Sequence, residues 1–499
     1  MKTFTDPNQI KQKVNERIEA ERVEFDQTEA ETEQKPQDRD DPDRGHSSNY
    51  EPLNYTDLGL AKRFVRKYGH LIRYVYPWNF WLFYDGIRWG KDNSGHIHRL
   101  MKQTVRLIYR EASQLSTPER RKAVAKFALS SEAEAKRRAA ILSAQSEVGI
   151  PVLPENLDQD VFLLNVKNGS LDLRTGQLIP HDPGHLITKL APVDFLPKAD
   201  CPNWLKFLDR IFISNKRLIE YLQRVVGYSL TGNTSEQILH FLYGLGANGK
   251  STFIKILMWM LGDYAIQTAT ETIMIRKNGG GIPNDLAALR GARFVSAQEV
   301  ESGHRMSESL IKQMTGGDRI TARFLHGEFF EFDPEFKLWI SGNSKPAIRG
   351  TDHAIWRRVR VIPFDVQIPK AEQDRKLFEK LQGELPGILN WALDGCLAWQ
   401  REGQLNPPEE VLLATKGYKD EMDIVGRFIN ECCLVGPEYV VTAKEVYGAF
   451  KAWSQEQGEK WIMTQQAFGM KLTEKGYESK RGGSSGAFRY PGIGLKTGT

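Results

Sequence analysis

The chain has 499 residues, of which 40% are hydrophobic and 26% charged, and its formal net charge is +5. These values are typical of soluble globular proteins, and the length predicts roughly two to four domains. No apolar run approaches the ~18 residues that span a bilayer, and no secretory signal is recognisable. The four cysteines have neither metal-ligand nor disulfide-framework spacing. We therefore expect a protein of the cytoplasm without a membrane partner.

Residues 1–54 differ in composition from the rest of the chain. They carry 14 acidic and 8 basic side chains, which leaves a net charge of +11 on the remaining residues. So polar a segment cannot bury a core, and we predict a disordered acidic tail that either solubilises the chain or binds a partner. The basic remainder is compatible with a polyanionic partner.

Residues 55–230 predict an N-terminal α+β domain. The expected elements are a helix from Thr56-Asp57 to Tyr68, strands at 73–76 and 80–84, a helical stretch from Leu100 to Gln145, tight β turns near 165–176, and helices at 203–213 and 216–229. Aromatic and basic residues alternate around Arg73–Arg88, as in single-strand binding surfaces. We expect these rings to pack a small sheet on the helices.

A phosphate-binding motif follows an apolar strand, Ile238–Tyr243. Gly244-Leu-Gly-Ala-Asn-Gly-Lys250-Ser251 fits G-x-x-x-x-G-K-[ST], and a helix with apolar residues at helical spacing follows it. Lys250 is expected to reach the β- and γ-phosphates, and the Ser251 hydroxyl to bind Mg²⁺. A glycine-rich turn that binds nothing is the alternative, but the flanking strand and helix favour a nucleoside triphosphate site. The predicted nucleotide-binding residues are Gly244, Gly246, Ala247, Asn248, Gly249, Lys250, Ser251 and Thr252.

Two further strands end in polar residues suited to hydrolysis. Arg293–Gln298 leads into Glu299 and Glu301, and we predict that Glu299 joins Ser251 at the metal while either acid activates water. The strand from Phe336 ends at Asn343, whose amide is placed to sense the γ-phosphate. A turn-forming Asn is the alternative.

Arginines and a hairpin complete the predicted ATPase region. Arg358, or less favourably Arg357, precedes a strand and is predicted to reach the γ-phosphate of a neighbouring subunit, although surface charge is the simpler use. Lys312, Arg323 and His326 lie on or near a predicted hairpin hinged at His326-Gly327. They are predicted DNA contacts, although a plain structural hairpin would show the same pattern.

The C-terminal residues predict a linker at 401–423 and a winged-helix domain at 424–499. Expected helices at 424–432, 442–456 and 464–475 precede a glycine-rich stretch and a closing strand. The third helix would present Lys471 and Lys475, and the wing would present Arg481, to DNA. Winged helices also dock proteins, so a protein contact is the alternative.

With these motifs in order, residues 55–490 resemble the superfamily 3 helicases of the AAA+ type, namely the phage and plasmid relatives of the poxvirus primase–helicase. The segments that carry the resemblance are Gly244–Thr252, Glu299–Glu301, Lys312–Arg323, Leu338–Asn343 and Trp356–Phe364. The implied fold class is α/β, with an AAA+-like P-loop NTPase core at 231–400, an N-terminal α+β domain and a C-terminal winged helix.

The resemblance implies an ATP- and Mg²⁺-dependent replicative DNA helicase of a phage, plasmid or other mobile element. It would act as a homo-hexameric ring that translocates on single-stranded DNA, unwinds forked DNA in the host cytoplasm and works beside a separate primase or replication initiator. Many relatives carry a primase domain, for which residues 1–54 leave no room, so we expect no primase activity. The alternatives are an origin-binding initiator whose ATPase is an assembly switch, a packaging or segregation ATPase that moves duplex, and a non-enzymatic DNA-binding scaffold.

Overall fold

A computed structural model describes most of the chain in two compact units. The described residues are 54–275, 284–298, 304–325, 327–350, 353–458, 462–482 and 487–496. The first unit comprises the described residues up to Asp160 with 167–170 and 179–190, and the second comprises 161–166, 171–178 and the described residues from Ala191 onward. Residues 191–230 thus group with the predicted ATPase region.

The first unit combines four helices with a small antiparallel sheet. Its elements are α1 Asp57–Tyr68, β1 Ile72–Val75, β2 Phe80–Tyr84, β3 Trp89–Lys91, α2 His96–Gln114, α3 Pro118–Ser131 and α4 Glu134–Ala144. Helix α1 begins where predicted, because the Thr56 hydroxyl accepts a hydrogen bond from the Gly59 N–H at 3.2 Å. The single helical stretch predicted from Leu100 to Gln145 is three helices, and α3 begins at Pro118, which is favoured in the first turn.

The core of the first unit lies between its helices. Each helix contributes a side chain that is at most 1% exposed: Phe64, Ile108, Val124 and Ala140. The buried Arg63 of α1 donates to both carboxylate oxygens of Glu111 on α2, at 3.1 and 3.0 Å, so a bidentate ion pair joins these two helices.

The second unit contains the larger sheet. The strands after Asp160, of which β5 and β6 each have residues in both units, are β4 Leu163–Val166, β5 Gly169–Asp172, β6 Gln177–Ile179, β7 Leu239–Tyr243, β8 Ala265–Thr268, β9 Phe294–Gln298, β10 Ile320–Ala322, β11 Phe330–Phe332, β12 Lys337–Gly342 and β13 Val359–Pro363. Five of them form a parallel sheet in the order β13-β7-β12-β9-β8, strands β4–β6 form a three-stranded sheet, and β10 pairs antiparallel with β11.

Apolar side chains cover both faces of the five-stranded sheet. Along β12, Leu338 and Ile340 pack into one hydrophobic cluster while Trp339 packs into the other. Phe241 and Leu242 of β7 divide between the clusters in the same way. Strands buried on both faces are typical of parallel sheets between helices, so the predicted α/β core is confirmed at this level.

The helices of the second unit follow a similar order to the predicted ones. They are α5 Pro202–Ile211, α6 Lys216–Leu230, α7 Lys250–Leu261, α8 Asn284–Ala287, α9 Glu308–Gly316, α10 His353–Trp356, α11 Leu377–Gly383, α12 Leu385–Glu402 and α13 Glu409–Met422. Helices α6 and α12 lie unusually close. A Cβ added to Gly227 would lie 2.1 Å from the Cys396 nitrogen, and one added to Gly395 would lie 1.9 Å from the Gln223 oxygen.

The segment 401–423, predicted as a linker, contains helix α13. The Thr415 hydroxyl accepts from the Val361 N–H of β13 at 3.0 Å, and the buried Tyr418 phenol donates to the Pro346 carbonyl. This segment is therefore part of the core around the sheet.

The C-terminal residues form three helices and a three-stranded sheet. Their elements are α14 Ile424–Cys432, β14 Cys433–Thr442, α15 Ala443–Glu456, α16 Gln465–Glu474, β15 Lys480–Arg481 and β16 Phe488–Leu495, with the strand order β14-β16-β15. All three predicted helices are present within one residue of their predicted bounds. Nowhere in the described part of the chain is a helix both long and apolar enough to cross a bilayer.

Candidate functional site

The candidate site lies where three neighbouring parallel strands end. Tyr243, the last residue of β7, is in register with Gly342 of β12 and with Pro363 of β13. The loops that follow these strands therefore start at the same edge of the sheet. Ligands of open parallel sheets bind beyond this carboxyl edge.

The phosphate-binding loop adopts a backbone conformation that restricts which residue types can occupy some of its positions. Ala247 and Gly249 have positive φ angles of 59° and 87°, and Gly249 also abuts helix α5, since its Cβ would lie 2.8 Å from the Ile211 side chain. A Cβ on Gly244 would lie 2.2 Å from the Phe364 carbonyl oxygen, whereas Gly246 faces open space. Gly244 and Gly249 are thus required for the loop conformation, and Gly246 leaves room for a ligand.

The loop leaves its backbone donors available. Across the described part of the chain, no protein acceptor receives a hydrogen bond from the backbone N–H groups of residues 245–249. Helix α7 begins at Lys250 directly after them, and its first N–H groups have no partner within the helix. Successive free N–H groups at a helix N-terminus attract an anion, and phosphate fits them.

Lys250 is held in this loop by three oxygens. Its Nζ donates to the Gly244 carbonyl at 2.5 Å and to the side-chain oxygens of Asn248 and Asn343, each at 3.1 Å. The side chain is buried, and burial lowers the pKa of its ammonium group. The structure thus brings together two residues that the sequence predicted to share a site, Lys250 and Asn343.

Asn248 has a role that sequence reasoning missed. Its amide nitrogen donates to the Leu245 carbonyl at 2.6 Å and to the Phe364 carbonyl at 3.0 Å, while its oxygen accepts from Lys250. One buried side chain therefore links the loop to the residue after β13. No signal marks this role, because the motif leaves the position of Asn248 unspecified.

A cavity of about 460 Å³ opens beside the loop. It is lined by Asn203, Lys206, Phe207 and Arg210 of α5, by Ala247, Gly249 and Thr252, and by residues of the segment from Ile368 to Leu377. Its volume and its mixed apolar and polar lining are those of small-molecule sites. The α5 residues lie some 40 positions before the loop in sequence, and nothing in their pattern predicted this contribution.

The residues present can hold part of a Mg²⁺ shell. Ser251 is exposed in the first turn of α7, so its hydroxyl is free to bind a cation. Glu299 and Glu301 directly follow β9, which pairs with β12 through Gln298 and Ser341, but both acids lie outside the described residues. No cluster of three or more His, Cys, Asp or Glu occurs among the described residues.

Arg358 does not fit its predicted role. Its guanidinium donates to the Thr315 hydroxyl at 3.1 Å and to the Ala354 carbonyl at 2.6 Å, and the residue is only 8% exposed. These hydrogen bonds anchor the Arg358 side chain within its own chain, whereas the predicted role needs an exposed guanidinium. Arg357 is exposed instead and donates to the Gln237 side chain at 2.8 Å.

The predicted DNA-contacting hairpin is formed by β10 and β11. Arg323 is exposed, with its guanidinium 5.0 Å from the ring centre of Phe329, and Lys312 is half-buried on α9. Exposed Phe324 and Leu325 lie at the same tip. His326 lies outside the described residues.

The C-terminal basic residues that were predicted to contact DNA differ in their exposure and ion pairing. Lys471 pairs with Glu474 at 2.8 Å and Lys475 pairs with Asp423, and each lysine side chain is 24% exposed. Lys475 is therefore less exposed than its predicted position implies, because its ammonium group neutralises the carboxylate that caps α14. Arg481 on β15 is exposed.

Two family matches cover this chain. A family described as D5 N-terminal-like matches residues 61–213, and a family of unknown function (DUF5906) matches residues 242–358, which include the phosphate-binding loop. "Putative helicase 022R" of Frog virus 3 is 30% identical over 53% of this chain, and "Putative helicase L207/L206" of Acanthamoeba polyphaga mimivirus is 28% identical over 56%. "Putative primase C962R" of African swine fever virus is 25% identical over 60%.

These matches support a primase–helicase-type, superfamily 3-like family. The chain spans about a third of the length of these viral relatives. The match covers 29%, 31% and 34% of their respective lengths. Among solved structures, the apo C-terminal region of NrS-1 matches 88% of this chain and all of its own length, at 10% identity and a TM-score of 0.45.

Proposed function

We propose that this chain is an ATP-dependent DNA helicase that works as a ring of identical subunits. The observation that carries the proposal is the environment of Lys250, whose ammonium group lies among three oxygens at the edge of a loop with free N–H donors. Such a loop binds the phosphates of a nucleoside triphosphate. The names of the viral relatives point to nucleic acid as the substrate on which the ATPase acts.

Lys250 and Asn343 would act together on the terminal phosphate. A bound γ-phosphate would compete with Gly244 and Asn343 for the lysine Nζ, because a charged acceptor is stronger than a neutral one. Once released from Lys250, the Asn343 amide would be free to bind the phosphate or orient water. The cavity beside the loop would hold the nucleoside, with the Phe207 ring among its apolar walls.

The remaining catalytic parts follow from their positions in the chain. Ser251 and Glu299 would hold Mg²⁺, which would neutralise charge on the β- and γ-phosphates. Glu299 or Glu301 would activate the attacking water. Arg357 is the exposed guanidinium suited to reach a neighbouring subunit, whereas Arg358 holds its own subunit together. A site completed in this way requires an oligomer, and a hexameric ring around single-stranded DNA meets the requirement.

DNA contact is assigned to the hairpin and to the C-terminal residues. Arg323, with Lys312 and His326 near it in sequence, would bind the phosphodiester backbone. The C-terminal order of helix, strand, two helices and a strand pair supports a winged helix. In that domain Arg481 is the better-placed contact, because Lys471 and Lys475 are engaged in ion pairs.

Lys250→Ala tests the ATPase assignment, with Lys255→Ala as its matched control. Lys255 lies on the same helix but is exposed. We expect Lys250→Ala to lower ATP hydrolysis on the order of 10²- to 10³-fold, as for removal of one preorganised charge-stabilising donor. Unwinding of a forked duplex should be lost with it, while thermal stability and DNA binding persist and Lys255→Ala behaves as wild type. Unwinding that survives Lys250→Ala would refute the mechanism.

The same assay separates the helicase from its alternatives. A helicase requires a single-stranded tail on the substrate and displaces a strand. A duplex-moving ATPase would hydrolyse ATP equally well on a blunt duplex and displace nothing. An initiator would protect a specific sequence from cleavage while it displaces little strand.

A further inference from the structure

Helix α2 of the first unit carries a continuous row of basic side chains. The row, called here the basic stripe, consists of Arg99, Lys102, Arg106 and Arg110. At 3.6 residues per turn these positions fall within an arc of about 80°. The first three are exposed and Arg110 is half-buried. The spacing thus places four cations on a single face of one helix.

The face opposite the basic stripe is committed to the core. Ile97, Met101, Val105 and Ile108 are each at most 3% exposed and pack into the hydrophobic cluster of the first unit. A basic amphipathic helix that binds a membrane inserts its apolar face between lipids. Helix α2 has no apolar face to insert, so its cations are better suited to a partner that is recognised by charge alone.

Basic side chains outnumber acidic ones in this part of the chain. Residues 96–145 contain 11 Lys and Arg but only 4 Asp and Glu. The single carboxylate of α2, Glu111, is held in the bidentate pair with Arg63. Arg99 is oriented by neutral groups, since its guanidinium donates to the Ser94 carbonyl at 2.8 Å and contacts the His96 Nδ1 at 2.9 Å. The excess positive charge therefore belongs to the surface as a whole.

From this arrangement we infer that the basic stripe binds the phosphodiester backbone of duplex DNA without reading its sequence. The stripe extends about 16 Å along the helix axis. That length of duplex presents roughly five phosphates of one strand. Long, flexible Arg and Lys side chains, three of them exposed, suit phosphates better than base edges.

This inference goes beyond the proposed motor. It assigns duplex binding to the first unit and requires no nucleotide. A helicase that holds duplex DNA ahead of its ring needs a DNA contact that does not depend on sequence. The acidic residues 1–54, with 14 acidic and 8 basic side chains, are the competing occupant within the same chain.

The test measures duplex affinity of the full-length protein without nucleotide. The variant combines Lys102→Gln, Arg106→Gln and Arg110→Gln. The matched control removes three exposed charges from α3, through Arg120→Gln, Lys122→Gln and Lys126→Gln. Fluorescence anisotropy with a labelled duplex is recorded over a series of salt concentrations.

We expect the stripe variant to lose affinity on the order of 10²-fold near 0.1 M salt. The slope of log K against log salt should become less negative by about 2.7, because each lost phosphate contact removes about 0.9. The α3 control should change both quantities much less, and Arg106→Lys with Arg110→Lys should retain affinity. ATP hydrolysis without DNA and the thermal midpoint should match wild type, which separates failure here from failure of the ATPase assignment.

Three outcomes would overturn the inference. An equal loss in the α3 control would show that only total charge matters. An unchanged salt slope would show that the stripe contacts no phosphate. A higher affinity in the stripe variant would show that the stripe binds residues 1–54 instead of DNA.

Discussion

His240 makes the stability of the second unit depend on pH. It lies on β7, just before the phosphate-binding loop, is 0% exposed, and has no hydrogen-bond partner for either ring nitrogen among the described residues. Its ring centre lies 4.6 Å from that of Trp339. Burial lowers its pKa to about 3, and the positive charges of Arg360 and Lys337 act in the same direction. The folded protein therefore holds a neutral imidazole.

The size of the effect follows from the two pKa values. In the unfolded chain the imidazole titrates near 6.5, so below pH 6.5 the unfolded state binds the additional proton. The full contribution to stability is present above pH 6.5 and is lost progressively as the pH falls from 6.5 toward 3. At pH 5.0 the interval of 1.5 pH units corresponds to about 2 kcal/mol, at 1.36 kcal/mol per unit.

The variant His240→Phe keeps a ring against Trp339 and removes the titration. Urea unfolding followed by tryptophan fluorescence should show that the wild type loses about 2 kcal/mol more than His240→Phe between pH 7.5 and 5.0. His98→Gln, at an exposed histidine of α2, is the control and should keep the wild-type dependence. If His240→Phe loses as much stability as the wild type over this interval, the reasoning about the buried imidazole is wrong.

Two packing predictions concern the loop and the helices behind it. Asn248→Ala removes the amide that donates to the Phe364 carbonyl at 3.0 Å. We expect nucleotide affinity to fall by about tenfold or more, the equivalent of one to two hydrogen bonds, while helix content stays unchanged. Equal affinity of the variant and the wild type in a fluorescent-nucleotide titration would contradict this role of Asn248. Gly227→Ala places a methyl group 2.1 Å from the Cys396 nitrogen and should cost about 1–3 kcal/mol of unfolding free energy. Gly448→Ala, in open space on α15, should be neutral or stabilising by up to about 1 kcal/mol. Similar melting temperatures for these two variants would argue against a tight helix crossing.

Local signals in the sequence were sufficient for most elements. Thr56 marks the start of a helix through capping, and the apolar run before Gly244 has the pattern of a buried parallel strand. Pro118 carries the signal for the start of α3, but the predicted helical stretch ran through it. The segment after Pro408 was harder to predict. Proline there is compatible with both a linker and a helix start, and only packing of Tyr418 on the core decides between them.

The arginine pair shows why side-chain roles are harder to predict than elements. Arg357 and Arg358 are adjacent, have the same chemistry and precede the same strand. Their burial differs because Arg358 faces the Thr315 hydroxyl, a partner 43 positions away in sequence. No local pattern reports that contact, so charge and spacing alone favoured the buried member of the pair.

The register of the parallel sheet explains which parts of the site were predictable. The last residues of three strands, Tyr243, Gly342 and Pro363, are in register, so the residues that follow these strands lie at the same edge of the sheet. A polar residue directly after β12 must therefore lie near the loop that follows β7. Asn343 follows this rule and accepts a hydrogen bond from Lys250 at 3.1 Å, while its role at the γ-phosphate stays a prediction. The strand β13 contributes through the Phe364 carbonyl instead of a side chain, and a backbone contact leaves no trace in residue type. The site can therefore be predicted from the sequence only where side chains supply its chemistry.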